Sequence, residues 1–435
     1  MKQTQVTLEK ISALCKRRGF AYQSASIYGG LNGVYDFGHL GALMKQNIRN
    51  EWKKAISSFE DILFLEGSIL GSSAVWQASG HVENFTDPMV DCLNCKHRYR
   101  ADEIDLKKSC PNCGQQKWTE VRQFNLMFKT QIGAAEDKSS VGYLRPETAQ
   151  SIFINFKNVL STYRVKIPFG IAQIGKAFRN EITPKQFLFR TREFEQMEIE
   201  WFCKEENAIN DFKLWCKARE EFYKTLGVNL EKIRFRAHEN TELAHYSVCT
   251  SDVEYEFPFG WKEIEGIAYR GNFDLTQHSK FSGKDLSVFD EETKQSYIPH
   301  VVECSVGVDR LFLTLLFDAY HEDVVDNEER IVLKLNPKIA PIKAAFFPLV
   351  KKLNEPMEKI YKNINSKGYS VEFDETGSIG KRYRRQDEIG TPLCFTYDFD
   401  SENDQMVTVR NRDTTKQERI SIDDIESYIQ NSLKS

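Results

Sequence analysis

Between Gln173 and Phe202 the side chains alternate in character with period two over two long runs joined by a short basic loop. This pattern restricts the fold more than any other stretch, because it demands a long hairpin with two unlike faces. In a strand, residues two apart share a face, so Gln173, Gly175, Ala177, Arg179 and Glu181 line one side and Ile174 and Phe178 the other. The loop carries Pro184, Lys185, Arg190 and Arg192. In the second run Met197, Ile199 and Trp201 alternate with Phe194, Gln196, Glu198 and Glu200. One face is core, and small residues on the other leave room in front of Arg179. That second face is either a solvated surface of paired charges or a site. An arginine, a basic loop and an aromatic ring on one hairpin would hold a phosphate chain and stack a base.

Two further stretches repeat the pattern of small residues beside charge. From Val301 to Ser305 alternation puts Glu303 and Ser305 on one face, and Gly307 then opens a helix with Val308, Leu311, Phe312 and Leu315 at helical spacing. Arg310 falls in the first turn of that helix, where unpaired N–H groups and a guanidinium make an anion site, although a surface arginine has the same sequence signature. Glu263-Ile264-Glu265-Gly266 reads as a strand with acidic side chains on one face, suited to magnesium or to pairing with lysines. Arg145-Pro146-Glu147-Thr148 begins a helix, with proline and glutamate favoured in its first turn.

The ten cysteines divide by spacing. Cys92, Cys95, Cys110 and Cys113 form two CxxC knuckles, the arrangement of a closed, structural four-thiolate zinc site. A redox CxxC is the alternative, and it has no need of a second pair nearby. The other six stand singly in apolar or helical contexts and read as packed thiols.

The 435 residues allow about three domains. Lys plus Arg number 59 against 63 Asp plus Glu, which excludes a uniformly basic nucleic-acid coat but not a local basic track. No apolar run approaches the roughly 18 residues of a membrane span and the N-terminus is polar, so the expected location is cytoplasmic, away from membranes. Two prolines, Pro337 and Pro341, mark a short linker over Lys334 to Pro341. Before it strands and helices come in irregular order, so a mainly antiparallel sheet with packed helices is expected. The helix Glu205 to Leu226 reads as a solvated surface helix. After the linker a compact mixed α/β domain is expected: strands at Ile342–Pro348, Tyr369–Asp374, Leu393–Asp398 and Met406–Arg410, and helices at Lys351–Ser366, Ser378–Glu388 and Ile422–Ser432. The fold class is α+β.

Taken together these stretches resemble the class II aminoacyl-tRNA synthetases, and within them the homodimeric glycine-specific family. Phe178-Arg179-Asn180-Glu181 with the run Phe189 to Glu198 is similar to motif 2, Gly307-Val308-Asp309-Arg310 to motif 3, and Gly29 to Gly38 to the approach to motif 1, the dimer-forming element. Arg145 to Gln150, His245-Tyr246-Ser247 and Phe257 to Ala268 resemble stretches typical of the glycine enzymes. The resemblance implies a catalytic domain over 1–340, with a zinc-binding insertion at 86–122 and a mainly helical one at 205–245, and an anticodon-binding domain over 341–435. It also implies ATP, Mg2+ and glycine as ligands, tRNA(Gly) as partner, a structural Zn2+ and a homodimer. By the same resemblance Arg179 would take the ATP α-phosphate, Glu181 and Phe194 the adenine, Arg190 and Arg310 the outer phosphates, and Glu263 magnesium. Asn180, Phe189, Ile264 and Gly307 would complete the ATP site, with Arg179 and Arg310 as the catalytic pair. Glu147, Gln196, Glu198, Glu303 and Ser305, with Phe194, would form the glycine pocket, and Arg100 would reach it from beside the zinc knuckle. Lys381 to Arg385 is the basic stretch expected to meet the anticodon. His39 and Cys304 stand where the family usually has proline; alternation points Cys304 away from the pocket.

Overall fold

A computed structural model describes residues 6–434 except 60, 135–139, 240, 245 and 326. Its main sheet has seven strands: β1 (Ile62–Phe64), β2 (Phe169–Phe178), β3 (Glu193–Cys203), β4 (Ile233–Ala237), β5 (Cys249–Phe257), β6 (Gly260–Gly271) and β7 (His300–Gly307). They lie in the order β4-β5-β6-β7-β3-β2-β1, antiparallel throughout except where β1 joins β2. The hairpin that the period-two pattern demands is β2–β3, with Gln173 opposite Glu198, Gly175 opposite Gln196 and Ala177 opposite Phe194.

Among the helices that clothe the sheet are α1 (His39–Ile56), α2 (Ala149–Tyr163), α3 (Glu205–Thr225), α4 (Phe273–Ser282) and α5 (Val308–Ala319). Met197, Ile199, Trp201, Cys304 and Val306 point to one side and share a core with Trp52 of α1, Trp215 and Phe222 of α3, and Leu311 and Phe312 of α5. Cys304 thus faces away from the polar side, as alternation requires. On the opposite side the strands change character along their length. At one end Phe169, Ile171, Phe202 and Val301 pack under Ile152, Phe153 and Phe156 of α2 and Leu275 of α4. Toward the other end small and polar residues take their place and face a cavity. The same alternation therefore yields buried core where phenylalanines stand and a site where glycines and carboxylates stand.

Buried polar knots set the register of the layers. Lys45 of α1 donates to Asp309 of α5 at 2.6 Å and lies 3.1 Å from Glu195 of β3, while the other Asp309 oxygen accepts the Glu195 N–H at 2.9 Å. These three charges join α1 to the stretches that resemble motifs 2 and 3. α1 starts at His39 with Gly38 as its N-cap, so no proline is needed for the turn into it. A Cβ on Gly41 would lie 1.9 Å from the Phe20 carbonyl oxygen, so glycine is required there.

α3 is solvated on one side only. Its Trp215, Arg219, Phe222 and Tyr223 are buried, and Arg219 and Tyr223 donate to the two oxygens of Glu265 at 2.6 and 2.7 Å. The stretch expected as a mainly helical insertion leaves its helix at Thr225 and then supplies the edge strand β4.

Beyond residue 340 a second sheet forms from β8 (Ala344–Pro348), β9 (Val371–Phe373), β10 (Leu393–Tyr397), β11 (Met406–Asn411) and β12 (Gln417–Ser421), in the order β9-β8-β10-β11-β12. Its β8, β9 and β10 are parallel and the rest antiparallel. Its longer helices are α6 (Asn354–Ser366), α7 (Ile379–Ile389) and α8 (Ile425–Lys434). β12 carries Gln417, Glu418 and Arg419 and gives no hydrophobic signal in the sequence. The linker is no loose tether: Leu335, Ile339 and Ala340 are buried, and Lys343 Nζ donates to the carbonyls of Pro337, Lys338 and Ala340 at 2.8–2.9 Å. No helix among the described residues is long and apolar enough to cross a membrane.

Candidate active site

The open end of the sheet bounds a cavity of about 280 Å³, lined by residues of β3, β6, β7, the loop before β3 and the start of α5. At one end are arginines and rings. Arg179, just past β2, lies 5.1 Å from the Phe194 ring centre and 5.3 Å from that of Phe85, and its Nε donates to the Pro146 carbonyl at 3.1 Å. Arg310 stacks 4.6 Å over Phe189, donates to the carbonyls of Phe189 and Glu263, and sits 3.5 Å from the Glu263 carboxylate. Glu181, Arg190, Ile264 and Gly307 line the same end. Burial pushes the Glu181 carboxyl up even with Arg190 and Arg179 near it. Two guanidiniums oriented by backbone carbonyls and flanked by aromatic faces suit a polyphosphate and a planar base.

At the other end five of the expected residues converge. Glu198 accepts from Gln196 at 3.0 Å and from Ser305 at 2.7 Å, and also from the Thr148 hydroxyl. Its burial, with Glu303 and Glu147 as like-charged neighbours, pushes it up to about 7. Glu147 is only slightly exposed, and burial works to raise it, but His81, 3.2 Å away, and Arg270 hold its carboxyl well below the usual range. Glu303 is paired with Arg270, yet burial leaves its carboxyl raised. Sequence reasoning missed His81, Arg270 and Asp274, and it singled out the stretch containing Tyr246 without giving that ring a role. Arg270 donates twice to Asp274, at 2.8 and 2.9 Å, and stacks 3.9 Å over Tyr246. Alternation along β6 from Gly266 through Ala268 would have found Arg270; His81, far away in sequence, carries no such signal.

Several expectations change. Gly175 makes room for Arg145 rather than Arg179: a Cβ there would lie 2.1 Å from Arg145 Nη2. Arg145 is buried and spans carbonyls of Lys176, Gly67 and Ser68. Glu263 and Glu265 do not share a face, because β6 is irregular opposite Val253 and Glu254, which resets the alternation at Ile264. Glu263 therefore lines the cavity and Glu265 turns into the core. Arg100 lies outside the lining, paired with Asp87 and Asp102 at 2.7 Å each. Asn180 contributes its backbone N–H to the Leu126 carbonyl at 2.7 Å. Arg190 reaches Glu103 of the cysteine-bearing insertion at 2.7 Å, and Lys185 binds the same carboxylate. His245 lies outside the described residues. The basic stretch on α7 is largely spent internally. Arg382 is buried against the carbonyls of Pro348, Glu375 and Gly377, and Arg385 pairs with Asp374 at 2.5 Å.

The four cysteines meet as the spacing requires, with all Sγ atoms within 4.8 Å of one another and the closest pairs, Cys92–Cys113 and Cys95–Cys110, at 3.6 and 3.8 Å. A tetrahedral zinc with Zn–S near 2.3 Å needs sulfurs about 3.8 Å apart. The knuckles repeat one backbone design: Lys96 N–H bonds the Cys92 carbonyl and Gly114 N–H the Cys110 carbonyl, each at 2.9 Å, and both residues have left-handed φ, 59° and 73°.

The family description "tRNA synthetase class II core domain (G, H, P, S and T)" matches residues 128–320, and "Anticodon binding domain" matches 339–432. A glycine–tRNA ligase of Caldanaerobacter subterraneus subsp. tengcongensis is 51% identical over 99% of this chain and 99% of its own length. One from Borreliella burgdorferi is 51% identical over 98% of each. The chain belongs to the glycine–tRNA ligase family. It is accordingly an ATP-dependent aminoacyl-tRNA ligase with a class II core. The fold is shared with a prolyl-tRNA synthetase from Cryptosporidium parvum solved with L-proline and AMP, at a TM-score of 0.68 and 16% identity, over 99% of this chain and 75% of that one. In this ligase the first matched region holds six of the seven strands of the main sheet, all but β1, and the second holds the whole five-stranded sheet.

Proposed function

We propose that this ligase activates glycine in the cavity on the open half of the seven-stranded sheet, with ATP at the arginine end and glycine at the carboxylate end. The observation that carries the reading is the polarity of that one cavity: Arg179, Arg310, Phe194 and Phe189 at one end and Glu147, Glu198 and Glu303 at the other. Phe194 stacks the adenine and Glu181 receives its amino group. Arg179 takes the α-phosphate, and Arg190 and Arg310 take the outer phosphates. The glycine carboxylate attacks the α-phosphorus, pyrophosphate leaves, and the arginines offset the charge that builds on the transferring phosphate. Glu263, half-exposed on the rim beside Arg310, fits one carboxylate ligand of a magnesium ion held mainly by phosphate oxygens, and that ion would supply further charge neutralisation. The second step passes glycine to the terminal ribose of tRNA(Gly).

The carboxylates hold the ammonium and fill the space a β-carbon would need, so larger amino acids are excluded by the fixed sheet rather than by editing. The paired knuckles hold a structural zinc, and Glu103 carries that insertion to Lys185 and Arg190 of the phosphate loop. Arg100, also on the insertion, would come to the substrate only by exchanging its aspartate partners. We place the enzyme in the cytoplasm as a homodimer; Ile27 and Tyr28, 86% and 87% exposed before α1, are an apolar surface that a second copy would cover. ATP–pyrophosphate exchange with glycine, alanine, serine, threonine and proline tests the reading: glycine alone should give strong exchange, and a stronger signal with another amino acid would overturn the pocket assignment.

A further inference from the structure

Glu200 is the next residue after Glu198 on the cavity-facing side of β3, and it occupies the boundary between the acidic end of the cavity and the phenylalanine cluster beneath α2. It is fully buried, and neither carboxyl oxygen has a hydrogen-bond partner. An unpartnered polar group in the interior costs stability, and an apolar side chain of the same size would remove that cost. Directly opposite Glu200 on β7 is Glu303. Paired residues of adjacent strands bring their side chains into contact range, and two like charges there repel. Glu303 has Arg270 as partner, and Arg270 is shared with Asp274, so the guanidinium is already committed to two carboxylates.

From this placement we propose that Glu200 is a positioning residue for amino-acid recognition, donating a hydrogen bond to Glu303 once the ligand's ammonium has drawn that carboxylate away from Arg270. The proposal rests on the reading of the acidic end as the ammonium site. It explains why a group that is a liability in the empty protein stands where it does. Burial, with Glu303, Glu198 and Asp274 near it and only Arg270 to offset them, pushes the Glu200 carboxyl well up, so the acid retains a hydrogen to donate. Glutamine has the same shape and an N–H donor; methionine has the volume and neither donor nor strong acceptor.

The test is steady-state ATP–pyrophosphate exchange on the full-length protein carrying Glu200→Gln, Glu200→Met or Glu303→Gln, with melting temperatures for each. Glu200→Met should raise the KM for glycine at least about tenfold while the KM for ATP moves less than about twofold, and its melting temperature should hold or rise. Glu200→Gln should restore the glycine KM to within about threefold of the parent. An unchanged glycine KM in a folded Glu200→Met variant overturns the proposal. So does a Glu200→Gln variant as impaired as Glu303→Gln, which decides the matter even if the methionine variant does not fold. If Glu303→Gln itself leaves the glycine KM unchanged, the fault lies with the ammonium site and not with Glu200.

Discussion

Arg179 stands between the rings of Phe85 and Phe194 with its Nε tied to a backbone carbonyl, a mounting that fixes the guanidinium plane without a direct ion pair among the described residues. Arg179→Ala should cut pyrophosphate exchange by about 100-fold or more, equivalent to about 3 kcal/mol of transition-state stabilisation, with little change in melting temperature. Near-normal exchange in the folded variant would place the phosphate site elsewhere. Glu198 supplies a second prediction, in pH. Its carboxyl is raised to about 7 by burial and by Glu303 and Glu147, so the empty site favours the protonated form near neutrality. Glycine's ammonium prefers the carboxylate, and the group loses its proton as pH rises. The KM for glycine should therefore fall between about pH 6 and pH 8, and Glu198→Gln should flatten that dependence while raising KM throughout. A glycine KM that rises over that interval would contradict the assignment.

Among the elements, the β2–β3 hairpin was written in the sequence down to which residues share a face, because alternation is a local property of extended chain. β6 shows where that logic stops. Glu263 and Glu265 are two apart and should face alike, but one irregularity against β5 separates them, and nothing in the two residues themselves records the strand opposite. The paired knuckles are again local: the left-handed positions at Lys96 and Gly114 and the sulfur spacing both follow from CxxC turns. Metal analysis of the reduced protein should find about one zinc per chain, and Cys95→Ser or chelation should release it and loosen the insertion. Since Glu103 of that insertion holds Lys185 and Arg190, chelation should also raise the KM for ATP. A metal-free protein with a folded insertion would rule the zinc out.

At the scale of the whole molecule, a buried charge network joins the five-stranded sheet and α7 to the strand Glu328–Leu333 of the hairpin that follows α5. Asp387 of α7 receives Arg410 through both oxygens at 2.9 and 3.1 Å and lies 3.3 Å from Arg330, which also binds the Arg412 carbonyl. Asp387→Ala would leave two buried guanidiniums without this carboxylate and should cost about 3–5 kcal/mol, with calorimetry resolving two transitions where the parent shows more cooperative melting. A single unshifted transition would show that the sheets are coupled by other contacts. Sequence by itself determined the period-two faces, the cysteine knuckles and the linker position, since each is set by neighbours two to four positions away or by a recognisable local run, and the family resemblance singled out five residues, expected at a glycine pocket, that line one cavity. Tertiary structure alone decided that Gly175 serves Arg145, that Glu265 belongs to the core, that the arginines of α7 are consumed internally, and that His81 and Arg270 set the charge of the acidic pocket. The physical reason is common to all four: a buried side chain's partner and charge state depend on which distant segments exclude water from it, and that is a property of the packed layers and not of the chain's local order.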